Sequence, residues 1–390
     1  MSITILLAAA AAQAAPAAAV NPASPLEIRF CPEGRVRSYP LDSLRGLNSL
    51  LLQNVAIVNR GSAPLALDMA MIAFVPAKPG QAVDSRIFGP GQLDAAAKSG
   101  AALNASGMMK LVAFQFCDGR LLDGATLGSS ATLGPGEALL LMQNAFAFKG
   151  LPTELRVVAK AGKVMNMAGI PIDGSTSKTQ FRWPLPAGRI WLVGAGASFH
   201  TTHRWGVPEE FALDIVAVDG AGSSHKADGA RNADFLAYGA DVLAAADGTV
   251  VKVATGASEE APLLRRPGEA LDAYYGRISA RQAGNLAKGE SAMLGDGVVI
   301  DHGNSEYSVY AHLVPGSIRV KAGDRVRSGQ PIAKLGSSGN STEPHLHWQV
   351  CDRPSGLSCA GIPPSFVGID LPAADGPRPI QSGDLVRVAK

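Results

Sequence analysis

Two histidines one residue apart are the first sign of chemistry in this chain. The segment STEPHLHWQV, residues 341–350, carries His345 and His347 and follows the loop GSSGNS. Side chains at i and i+2 of a β-strand point to the same face, so a strand here places the two imidazoles side by side. Such a pair binds one metal ion, or divides ligation and proton transfer between its members. For the motif alone, two half-exposed strand histidines without a function are the alternative.

A carboxylate in an apolar stretch is the second sign. Asp214 lies in FALDIV and follows His203 by 11 residues and His200 by 14. Burial of an unpaired carboxylate is costly, and either a metal ion or a salt bridge to an arginine removes that cost. His312 ends the apolar segment YSVYAHL. Taken alone, it is more typical of an ordinary edge histidine than of a catalytic one.

The elements that must position these residues divide into two halves. All 7 histidines follow residue 183, close to the Pro- and Gly-containing segment FRWPLPAGRIWLVGAG, where we place a domain boundary. Residues 25–183 form short apolar runs between turns, which predicts an antiparallel β-sandwich with one short helix within VDSRIFGPGQLDAAAKSGAAL. This half lacks any catalytic motif, so we expect a structural or substrate-positioning role.

The second half, residues 186–390, also shows a strand pattern. DGVVIDHGNSEYSVYAHL predicts a long hairpin that turns at HGNSE, and HLHWQV predicts a further strand. Residues 254–292 are polar and irregular, and we expect an insertion or a flexible loop there. The predicted fold class is therefore mainly β throughout.

Composition limits the class of protein. The 390 residues are 47% hydrophobic and 17% charged with a formal net charge of +2, which indicates a globular protein and gives no nucleic-acid footprint. Residues 1–20 are apolar and Ala-rich with a small-residue cleavage site, so they predict a signal peptide, export to the periplasm or beyond, and a mature protein without a transmembrane segment. Of the 4 cysteines, Cys31 and Cys117 can pair in the first half and Cys351 and Cys359 in the second; four free thiols are the alternative.

Four motifs in fixed order resemble one known family. HR…FALDI, VVIDHGN…YSVYAHL, VKAGDRVRSGQPIAKLGSSGNST and EPHLHWQV together are similar to the lysostaphin-like (LytM-type) zinc metallopeptidases, which cut peptide cross-links in bacterial cell walls. The resemblance covers roughly residues 186–370 and implies a lysostaphin-like antiparallel β-sheet peptidase domain.

The resemblance also implies the roles of single residues. It assigns one Zn²⁺ per chain to His203, Asp214 and His347. It assigns His312 and His345 to catalysis, as groups that move protons and stabilise the oxyanion. Two imidazoles and one carboxylate leave a tetrahedral zinc ion with one open position, as a zinc hydrolase requires.

The first motif departs from the family pattern. His and Asp are usually four residues apart there, whereas 11 residues separate His203 from Asp214. A longer hairpin that carries RWGVPEEFA would let His203 reach the metal, and His200 is the alternative ligand. His225 and His302 lie in polar or turn segments, and we expect them at the surface.

The resulting hypothesis is a zinc metalloendopeptidase that hydrolyses the peptide cross-links of peptidoglycan, with peptide stems as its partners. A degenerate LytM-type domain that activates a cell-wall amidase without catalysis is the first alternative. VKAGDRVRSGQPIAKLG also resembles a lipoyl carrier hairpin, but that interpretation explains none of the histidines. The peptide bond that is cut, the role of the first half and the oligomeric state stay open at this point.

Overall fold

The structure is a computed structural model that describes residues 24–374, 376 and 378–389. The predicted signal peptide, residues 1–20, lies outside these residues. Strands far outnumber helices in the described chain, which confirms the mainly β class. None of the helices in these ranges is both long enough and apolar enough to cross a bilayer.

The first half is built around one nine-stranded sheet, in the order β6-β5-β10-β11-β2-β3-β9-β7 with β1 beside β3. Its elements are β1 (Leu26–Cys31), β2 (Val36–Asp42), β3 (Leu47–Asn59), β4 (Leu65–Ala66), β5 (Met69–Val75), β6 (Arg86–Phe88), α1 (Pro90–Ala105), α2 (Met108–Leu111), β7 (Thr126–Leu127), β8 (Thr132–Leu133), β9 (Glu137–Lys149), β10 (Glu154–Ala161) and β11 (Val164–Asp173). The predicted short helix is α1, and at 16 residues it is longer than expected.

Strands from different parts of this sheet pack around one apolar core. Strand β10, ELRVVAKA, alternates between buried and half-buried positions, as a strand with one face on a core must. Its buried residues pack with those of β3, β5 and β9 in a single cluster. The long ladders are antiparallel as predicted, whereas β11 runs parallel to β2 and β7 parallel to β9. The arrangement is sandwich-like with parallel pairings at two places.

Strands β3 and β9 change face in the middle. Leu50 and Leu52 face the core before the change in β3, and Val55 and Ile57 face it afterwards. The antiparallel register of the two strands continues on both sides of Gln53 and Gln143 but omits these two residues. Gln143 also has a φ of 53°, in the left-handed region. The side chains of both strands therefore change face at this one pair of positions, without any shift of the register.

The second half contains a second nine-stranded sheet, in the order β19-β16-β17-β18-β21-β14-β13-β24-β23. Its elements are β12 (Gln180–Arg182), β13 (Ile190–Ala195), β14 (Leu213–Val218), β15 (Asp241–Leu243), β16 (Gly248–Ala254), α3 (Leu271–Lys288), α4 (Glu290–Leu294), β17 (Asp296–Asp301), β18 (Tyr307–Leu313), β19 (Arg325–Val326), β20 (Pro331–Lys334), β21 (Leu346–Cys351), β22 (Ser365–Val367), β23 (Ile369–Asp370) and β24 (Leu385–Val388). The predicted hairpin at HGNSE is β17 and β18.

Strand β21 is buried on both faces. Leu346, Trp348 and Val350 point into the main core of this half. The alternate residues, beginning with His347, therefore point to the opposite face, where a polar cluster has room. Burial on both faces explains why the segment has no exposed polar positions.

The expected irregular loop at 254–292 is wrong for its second part, which forms the 18-residue helix α3. None of the residues of α3 is fully buried. Leu271, Tyr274, Ile278 and Leu286 nevertheless recur at helical spacing, and the last three are half-buried on one side of the helix. This spacing was the signal available in the sequence.

The two halves meet through both polar and apolar contacts. The hydroxyl of Tyr39 donates a hydrogen bond to the carbonyl of Ile380. Strand β12 pairs with β22, and Phe181 and Trp183 lie in the core of the second half. The ranges 25–183 and 186–390 remain a proposal, and this packing favours a boundary a few residues earlier, between β11 and β12.

Candidate metal centre

Three neighbouring strands bring the chemistry-bearing residues of the sequence together. In the antiparallel register, Asp214 of β14 lies opposite His347 of β21. On its other side His347 lies opposite Ala311 of β18, one residue before His312. The pairing alone therefore places a carboxylate and two imidazoles within one patch of the sheet.

His203 completes this patch from a short turn. Residues His203–Trp205 form one turn of 3₁₀ helix between β13 and β14, which pair with each other. The His203 Nε2 atom lies 3.3 Å from Asp214 Oδ2. The 11-residue spacing is thus bridged by a long connection, as the sequence predicts. His200 is exposed, so the structure favours His203 over His200.

His203, Asp214 and His347 form a group whose donor atoms all lie within 4.8 Å of one another. His347 Nδ1 is 3.0 Å from Asp214 Oδ1. The two histidines are buried, whereas the Asp214 side chain keeps 25% of its surface exposed. The group is therefore open on the carboxylate side only.

The orientation of His347 is fixed by Gln349. The Gln349 amide nitrogen donates to the carbonyl of Gly356 at 2.8 Å, which turns its oxygen towards His347. His347 Nε2–H donates to that oxygen, also at 2.8 Å. The Nδ1 lone pair then faces Asp214 and is free for a metal. Hydrogen bonds of this kind select the tautomer of a ligating histidine and hold its ring.

His345 and His312 present the opposite nitrogen. His345 Nδ1–H donates to the carbonyl of Glu343, and His312 Nδ1–H donates to that of Ser338, each at 2.8 Å. Both rings therefore direct Nε2 away from these carbonyls. The His312 and His345 ring centres are 4.7 Å apart, and His345 Nε2 lies 3.3 Å from Asp214 Oδ1. Neutral imidazoles held in this way offer a lone pair on Nε2 to a proton.

His312 has an unusual backbone. Its φ of 60° lies in the left-handed region, which costs a residue with a Cβ about 1–3 kcal/mol. The β17–β18 register also shifts between Asp296 and Val298, near this end of the ladder. The consequence is that His312 leaves the regular pleat and is buried beside His345 and His347.

The shared carboxylate controls the charge of the cluster. Burial raises the pKa of Asp214, but His203 and His345 outweigh it and hold that pKa well below its usual range. Burial lowers the pKa of His203 and of His345, but Asp214 outweighs it, raising the first to about 9 and the second above its usual range. Burial and the neighbouring His345 and His347 lower the pKa of His312 well below its usual range, so this ring is neutral at neutral pH.

The donor set fits a zinc ion. Two imidazole nitrogens and one carboxylate oxygen are ordinary zinc ligands, and three protein ligands leave the fourth tetrahedral position for water or substrate. A cation bound between these three side chains would balance the charge of the Asp214 carboxylate. Protons on the neighbouring histidines otherwise take that role. The ring nitrogen of His347 that does not face the group has its own acceptor, as a ligating histidine requires.

Gln349 was missed by the sequence interpretation, although the signal was present. It follows His347 by two residues in the same strand and therefore lies on the same face. The carbonyls of Ser338 and Glu343 could not have been found, because a backbone acceptor carries no signature in the sequence. The expected surface position is wrong for His302, which is half-buried with Asp247 and Ser308 as partners of its ring nitrogens. His225 is half-buried too and packs on the ring of Phe235.

Comparison with known proteins gives a family for part of this region. Residues 265–357 match the model of peptidase family M23. The matched segment contains His312, His345 and His347, and it begins after His203 and Asp214.

Characterised relatives match over short segments. The peptidoglycan DD-endopeptidase ShyA of Vibrio cholerae is 44% identical over 71 residues, which is 18% of this chain and 16% of ShyA. The murein hydrolase activator EnvC of Escherichia coli is 42% identical over 53 residues, 14% of this chain and 12% of EnvC. The chain thus matches less than a fifth of the length of either relative.

Among solved structures, the catalytic domain of the prophage-encoded M23 protein EnpA from Enterococcus faecalis is 18% identical with a TM-score of 0.27. That match covers 47% of this chain and 93% of the EnpA chain. The catalytic domain of lysostaphin from Staphylococcus simulans is 16% identical with a TM-score of 0.24 and covers 45% of this chain and 88% of that one. Residues 265–357, within the second half of this chain, thus match a peptidase family M23 domain of the LytM type.

Proposed function

We propose that this chain is a zinc-dependent endopeptidase that hydrolyses peptide cross-links of bacterial peptidoglycan. The observation that carries the proposal is the convergence of five buried or half-buried side chains at one point: His203, Asp214, His312, His345 and His347. His203, Asp214 and His347 suit metal binding. His312 and His345 present their Nε2 atoms beside this group. A merely structural histidine cluster would not need two rings held in one tautomer and a third in the other.

The five residues would have different roles in hydrolysis. His203, Asp214 and His347 would hold the zinc ion. When bound, zinc supplies Lewis acidity that polarises the scissile carbonyl and activates a water molecule at neutral pH. His312 is neutral and its Nε2 is free to accept the proton of that water. His345 Nε2 lies 3.3 Å from Asp214 Oδ1, and in its protonated form this ring is placed to donate a hydrogen bond to the developing oxyanion or a proton to the leaving amine.

The substrate class rests on the relatives and on the family. ShyA is named a peptidoglycan DD-endopeptidase and is 44% identical to this chain over 71 residues. Residues 265–357, which contain the HxH motif, match the model of peptidase family M23. The two disulfides, Cys31–Cys117 and Cys351–Cys359, support export to an oxidising compartment such as the periplasm. The Ala-rich segment 1–20 points the same way.

EnvC, named a murein hydrolase activator, provides a second candidate. A non-catalytic activator of a cell-wall amidase would use the same fold without hydrolysis. Against this stands the complete set of five residues, since a domain that has lost catalysis has no need to keep a strained His312 and two oriented imidazoles.

The test combines metal content with hydrolysis. We expect purified protein to contain one zinc per chain by elemental analysis and to digest cross-linked muropeptides. Chelation should abolish digestion and added zinc should restore it, whereas Asp214→Ala should stay inactive with zinc. A folded protein that holds no zinc would contradict the proposal. Stoichiometric zinc with no digestion, together with stimulation of an amidase, would favour the second candidate.

A further inference from the structure

The segment that carries the first proposed ligand is held largely by the other half of the molecule. Residues 204–207 directly follow His203 and belong to the connection between β13 and β14. Their polar groups contact side chains of the first sheet and of the loop after α2. These contacts differ from an ordinary domain interface because they fall on consecutive residues of one short segment.

Gln53 lies at the centre of these contacts. It is completely buried, and its amide nitrogen donates to the carbonyl of Arg204 at 3.1 Å and to Glu210 Oε2 at 3.4 Å. Arg204 is also completely buried; it donates to Glu210 Oε1 at 2.8 Å and to the hydroxyl of Ser49 at 3.2 Å. The ion pair therefore ties Arg204 to Glu210 within the long connection, and side chains of β3 bind both residues.

Two further glutamines extend the same pattern. Gln143 Nε2 donates to the carbonyl of Trp205 at 3.3 Å, and Gln115 Oε1 accepts the backbone N–H of Val207 at 2.7 Å. The side chain of Val207 is buried in an apolar cluster otherwise made by residues of the first half. Backbone groups of three residues in the segment thus find their partners outside the second half.

The irregularity of β3 and β9 serves this arrangement. Gln53 and Gln143 are the two residues that the register omits, at the place where both strands change face. A regular pair of strands would direct residues at these positions alternately to the core and to the opposite face. The change of face at these positions instead gives two amide side chains to the segment next to His203.

We propose that Gln53, assisted by Ser49, Gln115 and Gln143, is a positioning residue for the metal site, so that the first sheet acts through residues 204–207 to hold His203 against Asp214. The inference rests on the proposed function, since it takes His203 as a zinc ligand. It explains why a His–Asp spacing of 11 residues still gives a compact group. It also gives the first half a role, which is to support a ligand from outside the peptidase sheet.

The experiment measures zinc affinity in the full chain by competition with a chelating dye. Gln53→Leu keeps the volume of the side chain and removes its donors. We expect zinc affinity to fall by about 10–100-fold, the usual effect of removing a group that orients a metal ligand. Hydrolysis should return towards the wild-type kcat when zinc is saturating, because no group that touches substrate has been changed.

Asn166→Leu is the matched control. Asn166 is a buried amide of the same half, and its side chain bonds to backbone groups of Leu26 and Met167 rather than to residues 203–210. Both variants should lose stability in denaturant, but only Gln53→Leu should lose zinc affinity. Should Gln53→Leu fail to fold, Ser49→Ala, which removes the acceptor of Arg204, is measured against the same control with the same expectation of weaker zinc binding.

The outcomes separate this inference from the proposed function. If wild-type protein binds zinc and both Leu variants bind it as tightly, the positioning role is wrong while the zinc peptidase stands. Equal weakening in Gln53→Leu and Asn166→Leu would likewise overturn the positioning role, since it would show a general effect of instability. Wild-type protein without zinc would overturn the proposed function, and this inference with it.

Discussion

His345 and His347 look equivalent in the sequence and differ in the structure by the nitrogen that each has free. His345 donates from Nδ1 to a loop carbonyl, whereas His347 donates from Nε2 to Gln349. Neighbouring strand residues on one face thus offer opposite edges of the imidazole ring to the space beside Asp214. His347, which offers Nδ1, lies with its ring close to the Asp214 carboxylate. His345, which offers Nε2, reaches the same carboxylate with the ring atom that is further from its own backbone.

This difference predicts separable effects of two mutations. His347→Ala removes one of three proposed ligands, so we expect zinc affinity to fall by more than about 100-fold together with activity. His345→Ala should keep its zinc and lose about 100-fold or more in kcat. Zinc content and muropeptide digestion are measured for both variants, with His200→Ala as a control that should resemble wild type because His200 is exposed. Equal loss of zinc in the two variants would mean that the pair chelates together.

Among the elements, the loop at residues 336–341 is the one that aims His312. The carbonyl of Ser338 accepts the His312 Nδ1–H, and the Ser338 hydroxyl binds the carbonyl of Leu313. Gly339 lets this loop lie directly against the chain before β17. Its φ is +76°, and a Cβ there would meet the nitrogen of Gly295 at 2.4 Å and the carbonyl of Met293 at 2.7 Å. Both obstacles are backbone atoms, which cannot turn away as a side chain would.

Gly339→Ala should therefore move the loop and misdirect His312. We expect a loss of several-fold or more in kcat with zinc retained, because His312 is not among the proposed ligands. Gly329→Ala is the control: its φ of +82° carries the same conformational strain, about 1–3 kcal/mol, but its Cβ would meet no atom within 4 Å. Denaturant midpoints, zinc content and kcat are compared. A Gly339→Ala enzyme with the kcat of Gly329→Ala would show that the loop does not position His312.

An element could be predicted from the sequence when the residues that determine it are close together in the chain. Strand β21 and the β17–β18 hairpin were predicted because alternation and turn residues are local properties of the sequence. The helix α3 was missed because the segment as a whole is polar and none of its residues is fully buried, although Leu271, Tyr274, Ile278 and Leu286 recur at helical spacing. The motif order indicated the five site residues through family resemblance, whereas Gln53 could not be found, since its partner Arg204 lies 151 residues further along the chain.

On the scale of the whole molecule, the two disulfides link very different lengths of chain. Cys31–Cys117 closes a sequence separation of 86 residues, and Cys351–Cys359 closes one of 8. The pairing within each half is the one that the sequence predicts. A crosslink lowers the entropy of the unfolded chain more when its loop is longer. The first bridge should therefore contribute more to stability than the second.

Non-reducing peptide mapping of the mature protein should recover both links. In guanidinium unfolding, we expect Cys31→Ala/Cys117→Ala to cost about 4–5 kcal/mol and Cys351→Ala/Cys359→Ala about 2–3 kcal/mol, from the dependence on loop length. Four free thiols in protein prepared from the oxidising compartment would refute the pairing. A larger loss from the short loop would mean that its contacts in the folded state outweigh the entropy of the unfolded chain.

The position of β24 also has a bearing on when the proposed activity can begin. This strand, Leu385–Val388, pairs with β13 through Trp191 and Val386, and β13 in turn borders the strand that carries Asp214. A chain that leaves the ribosome or a translocation channel from its N-terminus presents the proposed ligands long before it presents this neighbour. The sheet that carries Asp214 is completed only after residues 385–388 have been delivered. The proposed wall-degrading activity would then begin only after the first sheet, which binds residues 204–207, has already folded.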